Sequence, residues 1–255
     1  MMITSKDGTT LAVERAGSGP GLVMIDPALG FSGFDNIRGL GELLTADFTV
    51  HTYDRRGRGS SGDTAPYAVG REIEDLAAVV EAAGGSAHVY GFSSGALLAL
   101  HAAAAGVPID RLALFEPPVR AEGEPPDAAF TAGIAELLAA GDREGAVRTF
   151  LTAIGVPAEI LAEMAPMLPT LAAVAPTLLY DCAISDTLTF DTLRAVTTRA
   201  VVLDSTGTTQ DITSGTAAVA DALPAGTLRR LDGHWHGVAP DVLAPVVAEF
   251  LLAPA

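Results

Sequence analysis

The stretch Ala87-His88-Val89-Tyr90-Gly91-Phe92-Ser93-Ser94-Gly95-Ala96-Leu97-Leu98-Ala99-Leu100 decides the reading of this chain. A strand-like apolar run from Ala87 to Tyr90 leads into Gly91-x-Ser93-x-Gly95, and a helix-like run from Ala96 to Ala105 follows. This is the strand–turn–helix setting of a nucleophile elbow. The turn is too tight for bulky neighbours, so glycine flanks the serine on both sides. It lifts the Ser93 hydroxyl above the end of a sheet, within reach of a substrate carbonyl. A helix that starts at the serine offers unpaired N–H groups, which favour a developing negative charge. The bland alternative for Ser93 is a polar turn residue capping that helix.

Around this element strands alternate with helices. Asp7-Gly8 reads as a hairpin turn between two strand-like runs. Strands are expected at 22–25, 48–53, 87–90 and 112–115, with helices at 34–44 and 71–83 between them. Such alternation predicts a parallel α/β sheet. The pattern then breaks at Pro117-Pro118 and Pro125-Pro126. From about 127 to 193 the chain reads as helical, rich in Ala, Leu and Met, and punctuated by prolines. Strand 200–203, a helix near 215–223, strand 228–231 and a final helix at 241–252 resume the sheet pattern. An α/β domain interrupted by an all-helical insertion of that size is far from an ordinary connection. The boundaries read as 1–118 plus 197–255 for the α/β core and 119–196 for the helical insertion.

Serine needs a base to attack a carbonyl, and histidine is the usual one. Of five histidines, His51 and His88 fall inside strands and His101 on the helix after the elbow; all three read as structural. His234 and His236 lie in Asp232-Gly233-His234-Trp235-His236-Gly237, a loop after the last strand. His236 lies deeper in the loop and is the expected base. His-x-His could also be a metal pair, but no further His or Cys cluster supplies ligands, so neither metal nor cofactor is expected.

The 255 residues carry a formal charge of −16 and are 49% apolar. A sizeable core can be buried, and the acidic field argues against nucleic acid or an anionic membrane as partner. One cysteine, Cys182, excludes an internal disulfide and reads as a small buried residue. No secretory signal is visible in residues 1–10, and no uninterrupted apolar stretch reaches membrane-spanning length. The expectation is therefore a cytoplasmic protein, with a homodimer left open.

Several stretches together resemble the α/β-hydrolase superfamily. They are Asp54-x-Arg56-Gly57-x-Gly59-x-Ser61, the Gly91–Gly95 elbow and the His236 loop. The resemblance implies a mostly parallel central sheet flanked by helices, with an all-helical cap. It implies a serine–acid–histidine order, Ser93 and His236 supplying two members. The commonest acid position falls near Thr208, where there is no carboxylate. Some members carry the acid one strand earlier, which implies Glu116, with Asp204 as the alternative. The family's oxyanion hole implies the Ser94 and Ala28 N–H groups as donors. Here the usual His-Gly of that second loop is Asp26-Pro27, and proline has no N–H to give. Buried Asp26 would oppose an oxyanion unless it turns away.

The implied chemistry is a serine hydrolase. It would cleave a carboxylic ester, lactone or thioester of a small to medium apolar acyl substrate through a covalent acyl-enzyme. Met164, Met167 and Leu168 of the cap, with Trp235 beside the histidine, are the expected substrate contacts. Acyl transfer or thioesterase work in a biosynthetic pathway would use the same elbow. From another class, a catalytically weak ligand-binding protein of this fold is the alternative.

Overall fold

The computed structural model describes residues 1–34 and 36–254. Strands β1 (Met2–Thr4), β2 (Thr10–Gly17) and β3 (Gly21–Ile25) come first, then helix α1 (Arg38–Leu44) and β4 (Thr49–Tyr53). Helix α2 (Val69–Ala82), β5 (Ala87–Phe92), α3 (Ser94–Ala104) and β6 (Ile109–Phe115) follow. Helices α4 (Ala128–Ala139), α5 (Arg143–Ala153), α6 (Ala158–Met164), α7 (Leu168–Val174), α8 (Leu178–Thr187) and α9 (Phe190–Ala195) form the insertion. The chain returns through β7 (Ala200–Ser205), α10 (Gln210–Ala222), β8 (Gly226–Leu231) and α11 (Pro240–Leu252).

The eight strands form one sheet in the order β1-β2-β4-β3-β5-β6-β7-β8. The β1–β2 and β2–β4 pairs are antiparallel, and every pair from β4 to β8 is parallel. Strand residues alternate between two cores, as the period of two requires. Val23, Ile25, Val89, Leu112, Leu114 and Val202 face one apolar layer, built with α2, α3 and α10. Leu22, Met24, Tyr90, Phe115, Val201 and Leu203 face the other, built with α1 and α11. Both faces are covered, so the strands read as continuous apolar runs. A third apolar cluster lies within the helical cap and reaches Leu29 and Phe31 of the core.

Three local expectations change. The helix expected from Phe34 starts at Arg38, because Phe31 and Phe34 pair through their backbones across a tight loop; Asp35 lies outside the described residues. Helix α10 starts five residues before Gly215, capped by Thr209, whose Oγ1 accepts the Ile212 N–H at 3.4 Å. The helical run Ala158–Thr187 has the length and mean hydropathy, 1.4, of a membrane span, against the expectation that no stretch reaches it. Half of its apolar window is buried inside the protein, its axis is broken by two 3₁₀ turns, and Asp181 carries it into buried ion pairs.

Candidate active site

Parallel strands deliver their C-terminal ends to one edge, where ligands of open α/β sheets bind. Ser93 follows β5, Glu116 follows β6, Ser205 ends β7, and the His236 loop follows β8. The Asp26–Gly30 loop leaves β3 beside them, since Ile25 pairs with Gly91 in register.

Ser93 holds φ 54° and ψ −119°, a conformation costing about 1–3 kcal/mol for a residue with a side chain. Its neighbours explain how the turn closes. A Cβ on Gly91 would lie 2.6 Å from the Ala96 Cα, and one on Gly95 would lie 2.5 Å from the Ile25 carbonyl oxygen. The Ser93 N–H donates to the Phe115 carbonyl at 2.9 Å, which ties the elbow to β6. Four non-glycine residues have left-handed φ among the described residues: Leu29, Ser93, Glu116 and His236. All four sit in the loops of this one sheet edge.

His236 Nδ1 lies 2.5 Å from Glu116 Oε2. Glu116 is fully buried and further held by two donors, the Ser205 N–H at 2.8 Å and the Thr208 hydroxyl at 3.1 Å. Burial pushes its carboxyl up, but the hydrogen bond and charge of His236 and the Ser205 donors outweigh that, and hold it below its ordinary range. Asp204 makes a different commitment: its carboxylate takes a bidentate pair from Arg230, at 2.9 and 2.7 Å. Of the two carboxylates considered from sequence, Glu116 is the one that meets the imidazole. Thr208, at the position where an acid was sought, supports Glu116 with its hydroxyl.

The histidine loop is pinned on both sides. The His234 N–H donates to Gly237 at 2.9 Å, and Ser205 Oγ donates to the His234 carbonyl at 2.6 Å. The His236 ring packs against Phe92 and Trp235, with centroids 4.8 and 5.2 Å away. His51, His88 and His101 lie elsewhere: His51 and His101 bond backbone carbonyls, and His88 stands edge-on to Phe48.

Ser93, Ser94, Ala28, Trp235 and His236 line one cavity of about 910 Å³ between the sheet edge and the cap. Phe130, Phe150, Leu151, Ile154, Ile160 and Met164 give it an apolar roof. Met167 and Leu168, expected as substrate contacts, are not among the lining residues; both join the cap's own apolar cluster. Met164 packs on that cluster too, but also reaches the cavity wall. Asp26 lines a separate, smaller cavity with Ser32, Tyr53 and Asp54, and is not among the residues lining the cavity of Ser93. Among the described residues no group of three His, Cys, Asp or Glu is placed to hold a metal ion.

Sequence reasoning missed a buried ionic cluster beneath Ser94. Asp181 of α8 receives Arg55 Nη1 at 2.8 Å and Arg58 Nη2 at 2.7 Å. The Ser94 hydroxyl donates to the same carboxylate at 2.8 Å. Arg55 also grips Glu72 with two bonds, at 2.7 and 2.9 Å. Burial pushes the Asp181 carboxyl up, yet the charges of Arg58 and Arg55 and the Ser94 hydroxyl hold it below its ordinary range.

The sheet order, the helical cap and this loop constellation are those of an α/β-hydrolase, and the chain belongs to that family. The family model described as "Alpha/beta hydrolase family" matches residues 19–246. A solved α/β hydrolase from Sphaerobacter thermophilus is 44% identical, with 98% of this chain and 99% of that one covered and a TM-score of 0.91. A hydrolase from Pseudomonas aeruginosa is 23% identical over 99% of this chain and 98% of that one, with a TM-score of 0.83. The enol-lactonase of Burkholderia xenovorans is 19% identical over 98% and 99%, with a TM-score of 0.80. The latter two likenesses concern the fold. No curated protein matches the chain in sequence.

Proposed function

We propose that the chain is a serine hydrolase of carboxylic esters, lactones or thioesters with an apolar acyl part. The observation that carries this reading is the His236–Glu116 hydrogen bond, made at the wall of the cavity that Ser93 also lines. Glu116 fixes the imidazole with its Nδ1–H toward the carboxylate, so that Nε2 is the atom that takes the Ser93 proton. Ser93 Oγ attacks the substrate carbonyl. The Ala28 and Ser94 N–H groups receive the oxyanion of the tetrahedral intermediate. His236 returns the proton to the departing alcohol or thiol. A water activated by the same imidazole then releases the acid and frees Ser93.

Residues 119–196 act in this reading as a cap over a core of 1–118 and 197–255. The apolar roof selects the acyl part by burial, about 25 cal/mol for each Å² of apolar surface removed from water. The test is hydrolysis of p-nitrophenyl esters from acetate to octanoate. Turnover should rise on one limb as an imidazole loses its proton, and Ser93→Ala should lower kcat roughly a million-fold. Wild-type protein that releases no p-nitrophenol from any ester would refute the reading.

A further inference from the structure

We propose that Asp181, a cap residue, is a positioning residue for the oxyanion hole, acting on both of its donors at once. The inference rests on the assignment of Ala28 and Ser94 as those donors. Four contacts carry it. Arg58 Nη1 donates to the Pro27 carbonyl at 2.7 Å and to the Gly30 carbonyl at 3.2 Å. The other end of the same guanidinium, Nη2, is held by Asp181 Oδ2 at 2.7 Å. Asp181 Oδ1 accepts the Ser94 hydroxyl at 2.8 Å.

The Pro27 carbonyl and the Ala28 N–H belong to one peptide unit. In a trans peptide they point in opposite directions within one plane. A charged donor seated on the carbonyl therefore fixes where the N–H aims. It also draws electron density from the amide and makes the N–H a stronger donor, as linked hydrogen bonds do. Gly30, gripped by the same guanidinium, closes the turn by donating its own N–H to Pro27 at 3.1 Å. Leu29 in that turn is held at φ 64°, a conformation that persists only where its surroundings impose it.

On the elbow side the Ser94 side chain anchors the residue whose N–H is the second donor. Arg55 Nη1 reaches the same hydroxyl at 3.3 Å, so Ser94 is bound from two directions. Asp181 is buried, and both its oxygens are occupied by these partners. It lines the cavity, but its hydrogen bonds go to Arg55, Arg58 and Ser94 and not to Ser93 or His236. Thr177, one turn earlier in the cap, accepts Arg58 Nε at 3.1 Å and keeps the guanidinium in plane. The hole is thereby assembled partly from the cap: a cap that shifts on its core moves both donors together.

The experiment measures kcat per active serine in the full chain, with p-nitrophenyl butyrate as substrate and a fluorophosphonate titrating the competent sites. Asp181→Asn should lower kcat per labelled serine by on the order of 10- to 100-fold, a share of the roughly 10²–10³ lost with a whole donor. KM should stay within about twofold and the pH midpoint should not move, since His236 and Glu116 are untouched. A residue that only stabilises the fold would reduce the labelled fraction and leave turnover per label unchanged; that result overturns the proposal. Ser94→Ala removes one arm without leaving an unpaired charge, and decides the matter where Asp181→Asn does not fold. A fall of about 3- to 10-fold at constant KM supports the proposal, and an unchanged kcat refutes it. Failure of the underlying hydrolase reading is distinct: wild-type protein itself would neither turn over the ester nor take the label.

Discussion

Replacing Glu116 by glutamine keeps the shape of the side chain, removes its charge and disturbs the tautomer of His236. On the template of acid-to-amide changes at such a site, kcat should fall roughly 10⁴-fold. Asp204→Asn should leave kcat near the wild-type value, because its partner is Arg230 at the sheet edge. It should instead lower unfolding free energy by about 1–3 kcal/mol, the cost of leaving a buried bonded group short of its partner. Steady-state kinetics and urea titration of the two variants separate these outcomes. Much of this site is legible along the chain. The elbow announces itself because tight turns demand glycine at fixed offsets from Ser93. The choice of Glu116 over Asp204 is set in space, by which carboxylate the imidazole reaches. The Arg55–Asp181–Arg58 cluster leaves no sequence signal at all, since Asp181 and Arg58 stand 123 positions apart.

At the level of the element, the β5–α3 junction is where packing and chemistry coincide. A methyl group at Gly95 would press on the backbone of Ile25 at 2.5 Å and on the Asp26 carbonyl at 2.7 Å. Neither can swing aside as a side chain would. Gly95→Ala should therefore destabilise the fold by about 1–3 kcal/mol, the usual cost of overpacking, and displace Ser93 as well. A lowered midpoint in thermal unfolding together with a lower kcat is expected; loss of only one would separate the two roles. Strands and core helices follow from apolar periodicity, because each spans enough residues for the period to repeat. The cap resists that reading. Helices α6 and α7 have seven residues each and are joined by a proline-bearing 3₁₀ turn, so neither is long enough for its apolar period to repeat. Met164 lines the cavity and Met167 and Leu168 do not, a difference their spacing in the sequence leaves open.

For the whole molecule, acid stability reports on the same network. Glu116 and Asp181 titrate below their ordinary values in the folded chain. The unfolded chain then binds more protons, and stability rises with pH across that window. Their contribution is complete above the ordinary carboxylate range and is lost as pH falls through their lowered folded values. Asp75, pushed up by burial, works in the opposite sense. The urea midpoint should thus fall on acidification, with a shallower fall in Asp181→Asn. The formal charge of −16 has a separate consequence. Glu124, Asp127, Asp186 and Asp211 line the cavity alongside a single arginine, Arg120. An anionic thioester such as an acyl coenzyme A should therefore be bound less readily than a neutral ester of the same acyl group. Its KM should drop as salt rises and screens the field, whereas the neutral ester's KM should stay level.

The most direct test of the account is covalent. After incubation with a fluorophosphonate, intact mass should show one adduct per chain, and peptide mapping should place it on Ser93. Labelling should slow markedly in His236→Ala and Glu116→Gln and vanish in Ser93→Ala. An adduct on any other residue, or equal labelling rates in the His236 and Glu116 variants and the wild type, would contradict the assignment of Ser93 as a nucleophile driven by that pair.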